Sequence, residues 1–274
     1  MISRRRMMAG ANLTSKGVVD GVIQDDWDQI IKICKSGKAD QFYSEGDYKP
    51  LEVSGIGTFN MLIAGFKTDV RTDVREFCNV SWISKEGFQC EGLNKIVVED
   101  YYASGKDPLD LNSQVVKYLD INMIEFFPAI IKDNIVPVEK YCLIPQEGYN
   151  NRSALAIYSN KIWIPGFFEY KYLREVGKAQ VPGTRPPGSF NDYRFDANER
   201  YLYFDNLDKS NICLIDTEKK GVAILRDLIY VSDSERGYYQ FCGAQSGNSE
   251  QFPFLSSYKY SRQDEIATRF GFCL

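Results

Sequence analysis

Histidine, the side chain that most often carries general acid–base catalysis, is absent from the 274 residues of this chain. A Ser-His-Asp or Cys-His device therefore cannot be built within the chain, and neither can a His-ligated zinc or iron site. We accordingly predict a protein that is not an enzyme and that holds no cofactor.

Three groups of acidic residues have residue types that could hold a cation or act in catalysis. Asp69, Asp73 and Glu76 do not follow the pattern of a calcium loop, and a solvated turn is the preferred interpretation. Glu45 and Asp47 could form a carboxylate pair, but nothing places a second catalytic group near them. The other group lies in a predicted hairpin turn, where Asp and Asn are common for backbone reasons: Asp205, Asn206, Asp208 and Asn211. No metal ligand is predicted.

The seven cysteines are an odd number, so at least one thiol is free. No C-x-x-C pair occurs, which argues against a zinc ribbon or a thioredoxin-type motif. Most have apolar neighbours, and we interpret them as small buried hydrophobic residues of a chain made in a reducing cytosol. They are Cys34, Cys78, Cys90, Cys142, Cys213, Cys242 and Cys273.

Two aromatic loops contain the residue types that anchor interfaces or stack on sugar rings. The first is a long loop at residues 177–198, and the second lies around residues 243–260. We predict that they contact a ligand or a partner, with ordinary burial as the alternative. The candidate residues are Arg185, Phe190, Tyr193, Tyr238, Tyr239, Tyr258 and Tyr260.

The N-terminal segment, residues 1–22, is basic at its start and has no firm helical or strand period. It is followed by no apolar stretch of the kind found in secretory signals. We predict an arm that attaches to a partner, with a disordered terminus as the alternative. Its candidate attachment residues are Arg4, Arg5, Arg6, Met7 and Met8.

The net charge of −4 gives no reason to expect a nucleic-acid partner, and no apolar run approaches the length of a membrane span. The last residues, Arg269 to Leu274, alternate in a way that predicts a buried strand. Phe270, Phe272 and Leu274 would share one face, with Arg269, Gly271 and Cys273 on the other.

Capping and periodicity predict the elements that come before this strand. A helix is predicted from Asp26 to Ser36, a second after Asn112 or Ser113, and a short third one at residues 127–134. Strands are predicted at 51–53, 58–66, 77–83, 138–143, 155–158, 161–164, 200–204, 211–216 and 221–231, with a tight turn at Ser159-Asn160. The predicted fold is α+β, with two or three helices on a twisted, mainly antiparallel sheet closed by the C-terminal strand. Residues 23–274 would form this single domain.

The order of several short motifs resembles a domain-of-unknown-function family from Gram-positive gut bacteria and their phages. The family's motifs are a W-x-x-I helix, a G-D turn, G-F-x-x-D, an L-P-x-x-L-type segment, D-K-x-W-L and a terminal R-P-G-F-C-I. The corresponding stretches are Trp27-Asp-Gln-Ile30, Gly46-Asp47, Ile63-Ala-Gly-Phe-Lys-Thr-Asp69, Phe127-Pro-Ala-Ile-Ile131, Asn160-Lys-Ile-Trp-Ile164 and Arg269-Phe-Gly-Phe-Cys-Leu274. The resemblance covers about residues 24–274, with Asn160 and Phe270 departing from the family's Asp and Pro.

The resemblance implies a protein of phage particles or bacterial surfaces, with no established catalysis. Together with the basic arm, it leads us to predict a non-enzymatic structural protein of a phage particle, in a tail tip, fibre or head-surface position. Other virion proteins, and further copies of the chain in a homo-oligomer, are the expected partners. The G-F-C-[IL] ending also resembles the closing strand of C-type-lectin-like folds, in which the last strand returns beside the first. A lectin-like module that binds host-surface glycans is therefore the alternative, and a carboxylate-dependent glycan hydrolase is a remote one.

Overall fold

The computed structural model describes residues 13–87, 118–145, 153–165, 222–232, 237–245, 266–267 and 269–274. These residues form a mixed helix and strand structure with mainly antiparallel sheets and few helices, in agreement with the predicted class. Their strands are β1 (Val18–Val19), β2 (Val22–Ile23), β3 (Tyr48–Val53), β4 (Gly57–Phe66), β5 (Val80–Ser84), β6 (Val138–Pro145), β7 (Ser153–Asn160), β8 (Ile162–Trp163), β9 (Val222–Ser232), β10 (Gly237–Gln245), β11 (Ile266–Ala267) and β12 (Gly271–Cys273).

Seven of these strands build the main sheet, in the order β1-β2-β3-β4-β5-β12-β8. Neighbouring strands are antiparallel, except that β2 runs parallel to β3. The terminal strand β12 lies inside this sheet, where it pairs with β5 on one side and with β8 on the other. The prediction that the end of the chain is a buried strand is confirmed.

Two smaller sheets accompany the main one. β6 and β7 form an antiparallel pair over their full length. β9 pairs antiparallel with β10 and parallel with β11, and it also contacts β6. β6 therefore links the small sheets to each other, and its first residues approach the main sheet.

The first helix, α1 (Trp27–Lys35), begins and ends where the sequence predicts. The Asp26 side chain accepts a hydrogen bond from the Gln29 backbone N–H at 2.8 Å, which satisfies one of the N–H groups left unpaired at a helix start. Gly37 has a φ of 70°, a left-handed conformation that suits glycine just after a helix.

The remaining helical segments are short. α2 (Ala39–Phe42) is a single turn. A π-helical turn at Tyr118–Asn122 leads into a 3-10 turn at Met123–Phe126, followed by α3 (Ala129–Lys132). The third predicted helix is thus real but shorter than expected, and Pro128 is its N-cap.

The core lies on one face of the main sheet and combines aliphatic side chains with a cluster of aromatic rings. Phe270 contacts Phe59 edge-on at 5.0 Å between ring centroids, and Phe272 lies 5.9 Å from Phe127. On the same face, Trp82 of β5 meets Trp27 of α1 at 5.1 Å. This face of β12 is therefore held by both helical segments that flank it.

The domain begins earlier in the chain than predicted, because the residues from Leu13 onward belong to the fold. β1 and β2 form a hairpin at the edge of the main sheet, and Leu13 packs against the core. The Asp25 carboxylate, which is fully buried, accepts hydrogen bonds from the Lys16 N–H at 2.7 Å and from the Tyr43 hydroxyl at 2.9 Å. The predicted boundary at residue 23 is corrected accordingly, and residues 1–12 lie outside the described part.

The predicted tight turn at Ser159-Asn160 is wrong, because both residues are paired within β7. Asn160 lies opposite Val138, and β8 pairs with β12 instead of with β7. The Asp120 carboxylate holds the crossing between the two sheets, since it accepts from the Lys161 N–H at 3.1 Å and the Ile162 N–H at 2.6 Å.

Candidate functional site

The loop that follows β4 carries Asp69. It places the Asp69 carboxylate beside the face of the main sheet that is opposite the aromatic core. Lys67 turns the chain out of the strand with a φ of 54°. The Cys78 N–H donates to the Asp69 carbonyl at 2.8 Å, and the Glu139 N–H donates to the Val70 carbonyl at 2.8 Å. The loop is therefore hydrogen-bonded both to itself and to the start of β6, which fixes the position of Asp69.

Asp69 and Lys140 form an ion pair that is almost closed to solvent. The Lys140 Nζ lies 2.6 Å from Asp69 Oδ1, and the two side chains are 2% and 5% exposed. Buried lysines and aspartates are rare unless they are paired, because each isolated charge would be strongly destabilised in a medium of low dielectric constant. This pair is the strongest electrostatic feature of the described residues.

The second oxygen of the same carboxylate also accepts hydrogen bonds. The Ser81 hydroxyl donates to Asp69 Oδ2 at 2.6 Å, and the Cys273 thiol donates to it at 3.2 Å. The Cys78 sulfur lies 3.4 Å from the Ser81 oxygen. Ser81 and Cys273 are opposite each other in the β5–β12 pairing, so the two donors come from adjacent strands.

The ring of Trp163 covers the ammonium group of Lys140, with Nζ 3.6 Å from the ring centroid. Gly271 makes room for this indole, since a Cβ atom at that position would lie 2.4 Å from Trp163 Cη2 and 2.6 Å from the Trp82 carbonyl oxygen. The face of β12 that carries Gly271 and Cys273 is therefore the face of the polar cluster, as the alternation of the sequence predicts.

Asp69, Cys78 and Cys273 together offer a metal ion three ligand atoms within 4.8 Å of one another. Their chemistry suits a thiolate-binding ion such as zinc, but two features oppose it. The Lys140 ammonium already neutralises the carboxylate. Burial, followed by the hydrogen bond with Cys78, raises the pKa of the Cys273 thiol well above its ordinary range, which disfavours the thiolate that a metal requires.

A second buried carboxylate, Asp120, lies at the crossing between β7 and β8. Besides the two backbone N–H groups, it accepts a hydrogen bond from the Asn160 side chain at 3.0 Å. Burial raises the pKa of Asp120 in spite of these donors. Its contacts hold the chain at the point where it changes sheets, so its role is structural.

The predicted solvated turn of Asp69, Asp73 and Glu76 is confirmed for the last two residues. Asp73 is exposed and pairs with Arg71 at 2.7 Å, and Glu76 is exposed as well. Asp69, in contrast, is buried in the ion pair, and the prediction was wrong for this residue. Asp47 accepts from the Ser44 N–H at 2.7 Å, which is a turn contact.

Of the predicted attachment and ligand residues, two lie in the part of the chain that the structure describes. Tyr238 and Tyr239, which were predicted to flank the second loop, belong to β10. The other candidates lie outside the described residues: Arg4, Arg5, Arg6, Met7, Met8, Arg185, Phe190, Tyr193, Tyr258 and Tyr260. Among the cysteines, Cys34, Cys78 and Cys273 are free and buried, as predicted.

The residue that sequence reasoning missed entirely is Lys140. A signal was present, because Lys140 alternates with Val138 and Cys142 in a predicted strand, which places a lysine among inward-facing positions. The motifs of the family resemblance were a second signal, because they contain three of the residues that surround Lys140. Asp69 of G-F-x-x-D, Trp163 of K-x-W-[LI] and Cys273 of G-F-C-[IL] all meet in the cluster.

Neither the models of protein families, nor the curated proteins, nor the solved structures contain a match to this chain. Within the described ranges, no helix is both long and apolar enough to cross a membrane.

Proposed function

We propose that this protein is a non-enzymatic structural component of a phage particle. It would be made in the host cytoplasm, dock on other virion proteins through its N-terminal arm, and present its folded domain outward. The observation that supports this role is the meeting of three motifs in one buried cluster. Asp69, Trp163 and Cys273 lie far apart in the chain but meet in the cluster. Asp69 pairs with Lys140, Trp163 covers the Lys140 ammonium group, and Cys273 donates to the Asp69 carboxylate.

This use of the motif residues fits a structural protein better than a binding module. The cluster joins the loop after β4, the strand β6 and the terminal strand β12, so its groups fasten three parts of the domain to one another. A component of a particle surface must stay folded after the particle leaves the cell. Buried contacts between distant segments stabilise the fold and so meet that requirement.

The arm that would dock on the particle is shorter than residues 1–22. Ser15 and Lys16 are bound to the Asp25 carboxylate, and Val18 belongs to β1. The docking segment in this proposal is therefore residues 1–12, which contain the basic cluster Arg4 to Arg6.

A mass-spectrometric inventory of purified particles tests the role itself. We expect the protein in the particles at a fixed copy number, and its absence from them would overturn the proposal. A deletion of residues 1–12 tests the docking segment. The shortened protein should fold with an unchanged unfolding midpoint and fail to enter particles. Normal incorporation would refute the part given to the arm.

Substitution of the basic cluster gives a matched pair of variants for the same test. Arg4, Arg5 and Arg6 changed together to Lys preserve the charge, and the same residues changed to Glu reverse it. If docking is electrostatic, only the Glu variant should be lost from particles, and the loss should depend on the salt concentration during assembly.

The lectin-like alternative gains no support from the described residues. In the fold that it implies, the last strand lies beside the first, whereas β12 lies between β5 and β8 and β1 is at the far edge. A glycan array with the full chain still provides its direct test, and binding there would favour this alternative.

A further inference from the structure

The Asp69–Lys140 pair combines a primary amine and a carboxyl group at contact distance, in a place that solvent hardly reaches. We propose that these two side chains condense to an amide, so that an intramolecular isopeptide bond joins the loop after β4 to β6. The inference rests on the geometry of the pair and holds whether or not the protein belongs to a phage particle.

The positions of both groups are fixed by backbone contacts before any reaction. The Glu139 N–H, next to Lys140, donates to the Val70 carbonyl, next to Asp69, at 2.8 Å. Arg71 and Val138 form a further bridge between the same two segments. The amine and the carboxyl are thus held together across 71 positions of sequence, which gives a high effective concentration of one for the other.

The burial of the pair favours loss of its charges. Two opposite charges buried away from water are costly even when they attract each other, and a neutral amide of similar shape removes both. In such a medium the ammonium can pass a proton to the carboxylate, because the two neutral forms need less solvation than the two ions. The amine that results carries the free electron pair needed for attack on a carbon atom.

The hydrogen bonds to the carboxylate match the demands of the reaction. Oδ1 faces the Lys140 Nζ, while Oδ2 accepts from the Ser81 hydroxyl at 2.6 Å and from the Cys273 thiol at 3.2 Å. Attack of Nζ on Cγ builds negative charge on Oδ2, where the two donors stabilise it, as an oxyanion hole does. Burial raises the pKa of Cys273, which keeps this thiol protonated and able to donate.

The reaction balances without a further reactant. Lys140 transfers one proton to Oδ1, Nζ bonds to Cγ, and a second proton moves from nitrogen to Oδ1. The bond between Cγ and Oδ1 then breaks, and Oδ1 departs as water. An ammonium and a carboxylate thus become one amide and one water molecule, with no oxidant or reductant. The Trp163 ring over Nζ shields the new bond from hydrolysis.

The mass of the intact, denatured protein tests the proposal directly. We expect purified wild-type protein to be lighter than its sequence by the mass of one water molecule. Asp69→Ala and Lys140→Arg should each have the full calculated mass. Wild-type protein that is folded by circular dichroism and still has its full mass after prolonged incubation would overturn the proposal, and this measurement needs no variant to fold.

The sequence offers a matched control for the site of the bond. The tetrapeptide Thr-Asp-Val-Arg occurs twice, at residues 68–71 and 72–75, so trypsin releases two peptides of equal mass. The linked species should join one of them to residues 133–152, with cleavage missed at Lys140. Asp73→Ala should retain the link and Asp69→Ala should lose it, whereas loss in Asp73→Ala alone would contradict the assignment.

Three further variants test whether formation of the link depends on the oxyanion donor and on the buried lysine. Ser81→Ala removes one oxyanion donor and should slow formation of the link by about 100-fold, whereas Ser81→Thr keeps the hydroxyl group. Lys132→Arg alters the exposed Lys132–Glu125 pair, where the atoms are 2.9 Å apart, and should leave the mass loss unchanged. A mass loss that depends on Lys132 would contradict the proposal that the link forms at the buried Lys140.

Discussion

At the scale of single residues, Gly271 lies where the structure leaves no room for a side chain. We expect Gly271→Ala to destabilise the fold by about 1–3 kcal/mol, because the new methyl group would collide with the Trp163 indole and with the Trp82 carbonyl. Urea denaturation measures this loss. Adding Trp163→Phe should restore part of it, since the indole contact is relieved and the carbonyl contact remains. An unchanged midpoint for Gly271→Ala would show that the strand tolerates a side chain here.

A second prediction concerns the two aspartates of the repeated tetrapeptide. Asp69→Ala removes the carboxylate that faces the buried Lys140 side chain, which should cost about 3 kcal/mol or more. Asp73→Ala removes only an exposed pair with Arg71, because the Asp73 side chain is 42% exposed, and should cost about 0–1 kcal/mol. Equal losses in urea denaturation for the two variants would contradict the assigned burial.

The same two residues show why part of the site could not be predicted. Asp69 and Asp73 lie in identical tetrapeptides, so no local pattern distinguishes them. The difference arises from tertiary structure, because only the first turn of the loop meets Lys140 and Ser81. The alternation of Lys140 with apolar residues was visible in the sequence, but its partner was not.

At the scale of elements, the interior position of the terminal strand β12 can be tested by truncating one of its buried side chains. Phe272→Ala should cost about 3–5 kcal/mol, since Phe272 is fully buried between Trp82 and Phe127. Phe126→Ala is the matched control, because Phe126 is 45% exposed, and it should cost less than about 1 kcal/mol. Thermal unfolding of both variants gives the comparison, and a similar shift for the two would mean that β12 is not an interior strand.

Elements that depend on local signals were predicted well. α1 has its capping aspartate and its terminal glycine in the sequence, and β4 has an apolar pattern on both faces that is typical of a central strand. The turn between β7 and β8 failed for a tertiary reason. Ser159 and Asn160 are good turn residues, but the pairing with β6 and the hydrogen bonds to Asp120 keep them in a strand.

At the scale of the whole molecule, the order of the strands was beyond the reach of the sequence. The predicted mainly antiparallel sheet is present and contains the last strand, but nothing local indicates that β2 lies parallel to β3 or that β6 and β7 leave the main sheet. Such pairings join distant segments, and their choice depends on how all apolar faces are buried together. The sequence could therefore predict many of the strands, although not β1, β2, β10 or β11, and it could not predict which strands are neighbours.

Stability at alkaline pH is a property of the whole molecule that follows from its buried acids. Burial raises the pKa of Cys34 to about 12, and burial followed by the Asp25 charge raises the pKa of Tyr43. Cys273 shifts in the same direction. Below about pH 8.5, where thiols of the unfolded chain keep their protons, these groups do not make the free energy of unfolding depend on pH. Above it the unfolded state releases protons that the folded state retains, so the free energy of unfolding should fall as pH rises.

Each such thiol contributes up to about 1.4 kcal/mol per pH unit between its unfolded and folded pKa values. We expect urea denaturation at pH 8 and pH 10, with reductant present, to show this loss for the wild type. Cys34→Ala should be less stable at both values but should lose less between them, because one titrating group is gone. Ile33→Ala, a buried truncation in the same helix, should keep the wild-type difference. If Cys34→Ala and Ile33→Ala lose equally from pH 8 to pH 10, the thiol of Cys34 does not carry the effect, and the slope must come from Tyr43 and the remaining acids.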